Sequence, residues 1–429
     1  MKKVLVIGFL WPYHRRAGAR LGGLVKYLHE FDWEPVLLTA PLETRPEYDL
    51  RVIEVPYRYA LDFWLKLLRF NQNASANVRE QAKQRIGGAS KKSIRGALID
   101  FAFTRGLEII DYPDTEKNWV RPALKICAQL WQQEKFQAII SSSPPVTGHV
   151  IANKLKIKYQ VPWVADLPHL WSQNNTYAYS SLRRMVDRRL ERKTLSRADS
   201  LTTTSGPLAS KLKSLHKDKT VHSITHGFDP DTVNDPPDKL TEKFTITYTG
   251  AFDPVLRTPS MLLAALHSLI SRGLIAREKV EVRFFGPEEG WVENEIEKND
   301  LSGIAKQYGR VTMASAQAKQ RESQLLYNPK WDDPKEPGIH SLKLLEYLAA
   351  RRPILATGKY RDVADELLEE TGAGIYAADA ADIERTLMEA YQEYQQKGSV
   401  TWYGDDAKIN GYSQREMAGK FARVLDSLI

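Results

Sequence analysis

Short, nearly continuous apolar runs alternate along the chain with longer stretches whose apolar residues recur at helical spacing. Val4 to Phe9, Pro35 to Thr39, Val52 to Val55, Ala138 to Ser141 and Trp163 to Ala165 are runs of the kind that parallel strands covered on both faces display. Leu21 to Phe31, Ala123 to Glu134 and His149 to Tyr159 read as the helices between them, and a long arginine-rich helix follows from about Leu182 to Ser196. Ser200 to Thr204 and Val221 to Thr225 read as two more strands. Polar, proline-bearing Asp235 to Glu242 has the composition of a linker. The pattern then restarts: Thr245 to Tyr248 as a strand, Ser260 to Arg272 as a helix, Val280 to Phe285 as a strand, and Arg310 to Thr312 as a shorter one. Helices over Ala381 to Gln396 and Ser413 to Leu428 close the chain's second half. Strands interspersed with helices, twice over, predict two α/β modules built on parallel sheets.

In doubly wound sheets ligands bind beyond the carboxyl ends of the strands, so the residues following each run matter most. In the first half these are Gly18, Arg20, Ser142, Ser143, Asp166 and His169. In the second they include Gly250, Gly286 and the stretch GIHSLKLLEYLAARRPILATG from Gly338 to Gly358. There Pro337 and Gly338 are loop residues, Ser341 is the expected N-cap, and Leu342 to Ala350 form an amphipathic helix that Pro353 stops. Ile354 to Ala356 continue as a buried strand. Lys343 and Glu346 stand three apart on the first helical turns, beside backbone N–H groups that favour anions. The ammonium suits a phosphate and the carboxylate a sugar hydroxyl, whereas an ordinary surface ion pair satisfies the same spacing.

With 429 residues, 42% hydrophobic and 27% charged, the chain can build two cores, and no apolar run approaches the roughly 20 residues that cross a bilayer. VLVIGFL near the amino end is read as a strand, because Trp11, Pro12 and Tyr13 end it without a small-residue cleavage site. Cys127, the only cysteine, excludes an intramolecular disulfide and suits a core position in a reducing, cytoplasmic protein. Most of the net charge of +8 is local: residues 64–106 hold nine Lys or Arg against Glu80 and Asp100. Apolar clusters Trp64 to Phe70 and Ile94 to Phe103 flank that charge. The segment suits either a solvated insertion or peripheral contact with an anionic membrane at its inner face. Nothing resembling a nucleic-acid-binding motif accompanies it, so nucleic acid is not an expected partner.

Six stretches, in order, resemble a known family: SSSPPVTGHVIA, VPWVADLPHLW, SRADSLTTTS, ITHGFDPD, ITYTGAFDPVLRTPSMLLAAL and GIHSLKLLEYLAARRPILATG. Together they are similar to the retaining glycosyltransferases numbered family four, and the resemblance spans almost the whole chain. It implies the GT-B fold, an α/β architecture of two Rossmann-like doubly wound domains facing a central cleft. Residues 1–228 would be the acceptor-side domain, with a basic insertion at about 60–110, and 240–400 the nucleotide-sugar-binding domain. Residues 401–429 would form a helix packing back across the interface. The implied activity is hexosyl transfer from a UDP- or GDP-sugar to a saccharide, lipid-linked or small-molecule acceptor with retention of configuration, as in polysaccharide biosynthesis. Alternatives on the same fold are a nucleotide-sugar epimerase or hydrolase, and a non-catalytic nucleotide-sugar-binding protein.

By the same resemblance Glu346 binds the donor ribose hydroxyls, and Arg257 lies near the family's cationic diphosphate clamp, which Lys343 shares. Asp166 and His169 occupy the acceptor side, with His169 oriented toward a hydroxyl or the donor phosphate. Gly18 and Arg20 form a loop beneath the donor, and Gly250, Gly286 and Val311 line the donor side, Val311 near the base. No cofactor and no metal are expected, since Asp332-Asp333 is followed by Pro334 and lacks a DxD context. Two departures stand out. Ala251 replaces the arginine often found after the glycine, and Gly338 occupies the place of the first glutamate of the family's pair, with Glu336 nearby in the loop as a substitute. His149 is expected to cap its helix, and Trp119, Trp131 and Trp163 to be core residues.

Overall fold

The computed structural model describes residues 1–9, 15–46, 48–59, 108–174, 179–232, 239–333, 338 and 341–429, with the backbone only at 15–18. The basic segment 64–106, Glu336 and Pro337 lie outside the described residues. The chain forms two compact units: Met1–Thr203, Ala209–Ser223 and Ala418–Ile429 make the first, Thr204–Leu208 and Ile224–Met417 the second.

The first unit runs β1 (Lys2–Ile7), α1 (Arg15–Tyr27), β2 (Trp33–Thr39), β3 (Arg51–Glu54), α2 (Val120–Gln133), β4 (Ala138–Ser142), α3 (Thr147–Tyr159), β5 (Trp163–Asp166), α4 (Ser181–Leu195), β6 (Ser200–Thr203), α5 (Gly206–Leu215) and β7 (Thr220–Ser223). Among the described residues its sheet has seven strands in the order β3-β2-β1-β4-β5-β6-β7, and all neighbours are parallel. Val4 to Ile7 are fully buried because helices cover both faces, which is why β1 reads as an unbroken apolar run. The order in which strands are added reverses between β1 and β4, so the loops after these strands diverge and leave a crevice at their carboxyl ends. α1 begins six residues earlier than its apolar periodicity indicates, and Leu28–Phe31 form a separate 3₁₀ turn ended by Asp32 at φ +63°.

The second unit runs β8 (Phe244–Thr249), α6 (Ser260–Ser271), β9 (Val280–Phe285), α7 (Gly290–Lys298), β10 (Ala305–Gln307), α8 (Met313–Arg321), β11 (Leu325–Pro329), α9 (Leu342–Ala350), β12 (Ile354–Thr357), α10 (Val363–Thr371), β13 (Gly374–Ala377), α11 (Ala380–Lys397), α12 (Asp406–Asn410) and α13 (Gln414–Asp426). Its sheet orders β10-β9-β8-β11-β12-β13, again parallel, with the reversal between β8 and β11. Arg310 to Thr312 are not a strand: the third strand of this unit is Ala305–Gln307, and Thr312 instead caps α8, its Oγ1 accepting from Ser315 N at 3.2 Å. α13 begins in the second unit and ends in the first. Within the first unit Trp33 Nε1 donates to Asp426 at 3.0 Å, Lys2 pairs with the same carboxylate, and Phe421 and Leu425 are fully buried. Among the described residues no helix is long and apolar enough to cross a membrane.

Candidate functional site

At the carboxyl edge of the second sheet the loops are drawn together by glycines. Gly250 N donates to Phe285 O at 2.8 Å, and a Cβ on Gly286 would lie 1.9 Å from Gly250 O, so only glycine permits this crossing. Gly286 N in turn donates to Gly309 O at 3.0 Å, and Gly309 has φ +73°. Arg257 ends a tight loop: its backbone exchanges hydrogen bonds with Asp253 at 2.9 and 3.2 Å, and the Asp253 carboxylate accepts from Val255 N and Leu256 N. The guanidinium carbon stands 5.3 Å over the Trp331 ring, and the buried Nε has no hydrogen-bond partner among the described residues. Val311 is exposed in the loop before α8.

Lys343 and Glu346 form an ion pair on the first turns of α9, with Lys343 only 6% exposed and Glu346 half-buried. Ser341 occupies the N-cap position but makes no side-chain cap bond, and Arg351 at φ +53°, rather than Pro353, ends the helix. The first turn of α9 therefore lacks a serine side-chain cap, and Leu344 N donates instead to the Ser341 carbonyl at 3.0 Å. Within the second unit Gly338 lies against Ser205 and Pro207: its carbonyl accepts from Ser205 Oγ at 2.6 Å, and a Cβ there would sit 2.9 Å from Ser205 Oγ and 3.1 Å from Pro207 Cβ. A side chain at position 338 would thus be crowded by Ser205, Pro207 and Leu208.

Sequence reasoning missed Lys330, directly after β11. Its buried ammonium lies 2.5 Å from Asp365 Oδ2, 3.3 Å from Asp362 Oδ1 and 2.6 Å from Tyr360 O, and 4.3 Å over the Tyr376 ring. Burial pushes the Asp365 carboxyl up, and Lys330 works against that shift. Asp332 is occupied as well, accepting from Lys359 N at 3.0 Å and Tyr360 N at 3.3 Å. The pairing of Lys330 joins β11 to the start of α10, a long-range contact that local patterning does not encode.

In the first unit Asp166 and Arg20 are brought together. Arg20 Nη2 lies 2.8 Å from Asp166 Oδ1 and Nε 3.0 Å from Oδ2, with both side chains almost completely buried. Ser142 Oγ and Thr202 Oγ1 donate to the same carboxylate at 2.8 and 2.7 Å. The anion that Arg20 meets is therefore an internal one. His169 follows three residues later, exposed in a bend, and Gly18 lies in the first turn of α1 rather than in a loop.

His149 does not cap α3. It is fully buried, Nδ1 2.7 Å from Ser141 Oγ, and burial pulls its pKa down to about 4. Capping comes from Asp114, whose carboxylate accepts from Thr147 N at 2.7 Å and from Thr147 Oγ1 at 2.5 Å. Neighbouring Glu116 is pushed up to about 7 by burial and then by Asp114. Trp119 and Trp163 are fully buried, while Trp131 is partly exposed and stacks on Tyr159 at 4.4 Å.

No family model matches the chain, and no curated protein is similar to it in sequence. Solved structures are similar over its full length. A glycosyltransferase from Rickettsia africae is 12% identical with a TM-score of 0.64, covering 100% of this chain and 98% of that one. HepE of Anabaena in complex with UDP is 13% identical with a TM-score of 0.62, covering 100% of both chains. Sucrose-phosphate synthase of Thermosynechococcus elongatus is 12% identical with a TM-score of 0.61, covering 100% of this chain and 99% of that one. At these identities the likeness is one of architecture, and it agrees with the two strand orders: the chain has the GT-B fold, two Rossmann-like units shared with glycosyltransferases.

Proposed function

We propose that the protein is a retaining, family-four-like glycosyltransferase that moves a hexose from a UDP- or GDP-sugar to a saccharide, lipid-linked or small-molecule acceptor. The observation that carries this reading is the Lys343–Glu346 pair, held on the first turns of α9 beyond the carboxyl edge of a Rossmann-like sheet. The complexes of HepE with UDP and with UDP-glucose support the donor class by similarity of fold. In this reading Glu346 accepts the ribose hydroxyls, while Arg257 and Lys343 take up the charge that grows on the departing diphosphate. The anomeric carbon–oxygen bond to the β-phosphate breaks, the acceptor oxygen bonds to the anomeric carbon, and its proton passes to a phosphate oxygen. No protein base is then required, and no metal or other cofactor is part of the scheme. Val311 and the glycine-tightened loops at Gly250 and Gly286 would face the nucleoside. Asp166 acts in this scheme by fixing Arg20 and the loop that ends in His169, which would meet the acceptor. A cytoplasmic location completes the reading.

Calorimetry with UDP, GDP, ADP and TDP and their sugars, followed by product analysis with and without acceptors, tests it. One nucleotide is expected to bind selectively, and Glu346→Gln, which keeps the shape and removes the charge, should weaken it by about tenfold or more. Absence of binding to every nucleotide, or binding indifferent to Glu346→Gln, overturns the donor assignment. Turnover without acceptor would favour an epimerase or hydrolase instead, and binding without any turnover a non-catalytic protein.

A further inference from the structure

We propose that the outward face of α4 in the first unit is a docking surface for an anionic lipid bilayer; the proposal is independent of the donor chemistry above. α4 turns its acids inward. Asp187 is buried and receives Arg183 Nε at 2.8 Å, and Glu191 is buried, accepting from Ser172 N at 2.9 Å and lying 3.3 Å from His216 Nε2. What remains outside is cationic: Arg188, Arg189, Arg192 and Lys193 are exposed, and among the described residues no carboxylate forms an ion pair with any of them. Arg197 extends the same charge just past the helix.

Charge alone would suit any polyanion, but this face also carries large apolar side chains. Leu182 is 66% exposed and Met185 48%, and they share one helical face with Arg189 and Arg192. Ile109, 75% exposed, is brought beside the start of α4 by Glu108, whose carboxylate accepts from Ser180 N at 2.9 Å and whose carbonyl accepts from Arg183 Nη1 at 2.5 Å. Exposed Leu, Met and Ile interleaved with unneutralised arginines match a bilayer, which offers acidic headgroups and, just beneath them, an apolar layer. A nucleic acid or a soluble polyanion offers no such layer to those three side chains.

Co-sedimentation of the full chain with vesicles of phosphatidylglycerol and phosphatidylcholine, against phosphatidylcholine alone, reads the partition directly. Binding is expected only to the acidic vesicles and should weaken with salt. Combining Arg188→Glu, Arg189→Glu and Arg192→Glu should lower the partition coefficient by roughly a hundredfold. Leu182→Ser with Met185→Ser should lower it by about tenfold; these exposed changes spare the fold, which thermal denaturation verifies. The proposal is overturned if the wild-type chain ignores acidic vesicles, or if the charge-reversed chain partitions as the wild type does, which would assign attraction to residues 64–106. It is equally overturned if heparin competes fully while the serine pair binds vesicles unchanged, since the face would then read charge alone.

Discussion

Two residues show how far a chemical expectation depends on what surrounds the side chain. Gly338 stands where the resemblance places a donor-contacting glutamate, and its neighbours crowd the space a side chain would take. Gly338→Glu would force Ser205 and Pro207 apart, so it is expected to cost about 1–3 kcal/mol in urea denaturation and to add no donor turnover. A gain in turnover at unchanged stability would contradict that. Asp166 is the opposite case, an acid at the expected sheet edge with every oxygen engaged. Asp166→Asn leaves the Arg20 guanidinium buried without its counter-charge, and a loss of about 3–5 kcal/mol is expected, with lowered activity following from lost stability. If Asp166→Asn were as stable as the wild type yet inactive, a direct chemical role would replace the positioning one. Neither the crowding at Gly338 nor the embrace of Asp166 is visible in local sequence, because each depends on residues far along the chain.

At the scale of elements, the sequence was most readable where burial is symmetric. β1, β4, β5, β8 and β9 appear within one or two residues of their apolar runs, since strands covered on both faces must be apolar throughout. β10 differs from expectation because it is a short edge strand whose Lys306 and Gln307 break the apolar pattern, leaving Arg310 to Thr312 as the more strand-like stretch. β11 is hidden in the pattern because Asn328 and Pro329 end it with polar and turn-like residues, although both are buried. The start of α3 differs from expectation because its cap comes from Asp114, remote in sequence, not from His149. That cap carries a pH signature. Glu116, raised from 4.5 to about 7, holds its proton longer in the folded chain than in the unfolded one. Its contribution is complete below about pH 4.5 and is lost as pH rises through about 7. Glu116→Gln, neutral throughout, should therefore gain stability relative to the wild type between pH 5 and pH 8 in denaturant titrations; parallel curves would refute this. His149, pulled down to about 4, acts on the acid side, its contribution present above pH 6.5 and lost toward pH 4.

For the whole molecule, the informative feature is the return of the chain. Residues 224–417 build the second unit almost without interruption, and 418–429 then re-enter the first. There Phe421 lies beneath Arg20, its ring 5.1 Å from the guanidinium carbon, and Asp426 meets Lys2 and Trp33. Phe421→Ala should destabilise the first unit by about 3–5 kcal/mol and leave the second unchanged, a difference that Trp33 fluorescence during denaturation can resolve. Coincident loss in both units would instead mean that they unfold as one. The same return imposes an order on biosynthesis. Ribosomes release chain from the amino end, and domains tend to fold as they emerge. Here the segment made first must wait, with the floor beneath Arg20 and the partner of Trp33 still unmade, while the later-translated unit already has nearly all its own residues. During that interval the nascent amino-terminal sheet would be the natural client for a chaperone, even though it had the head start.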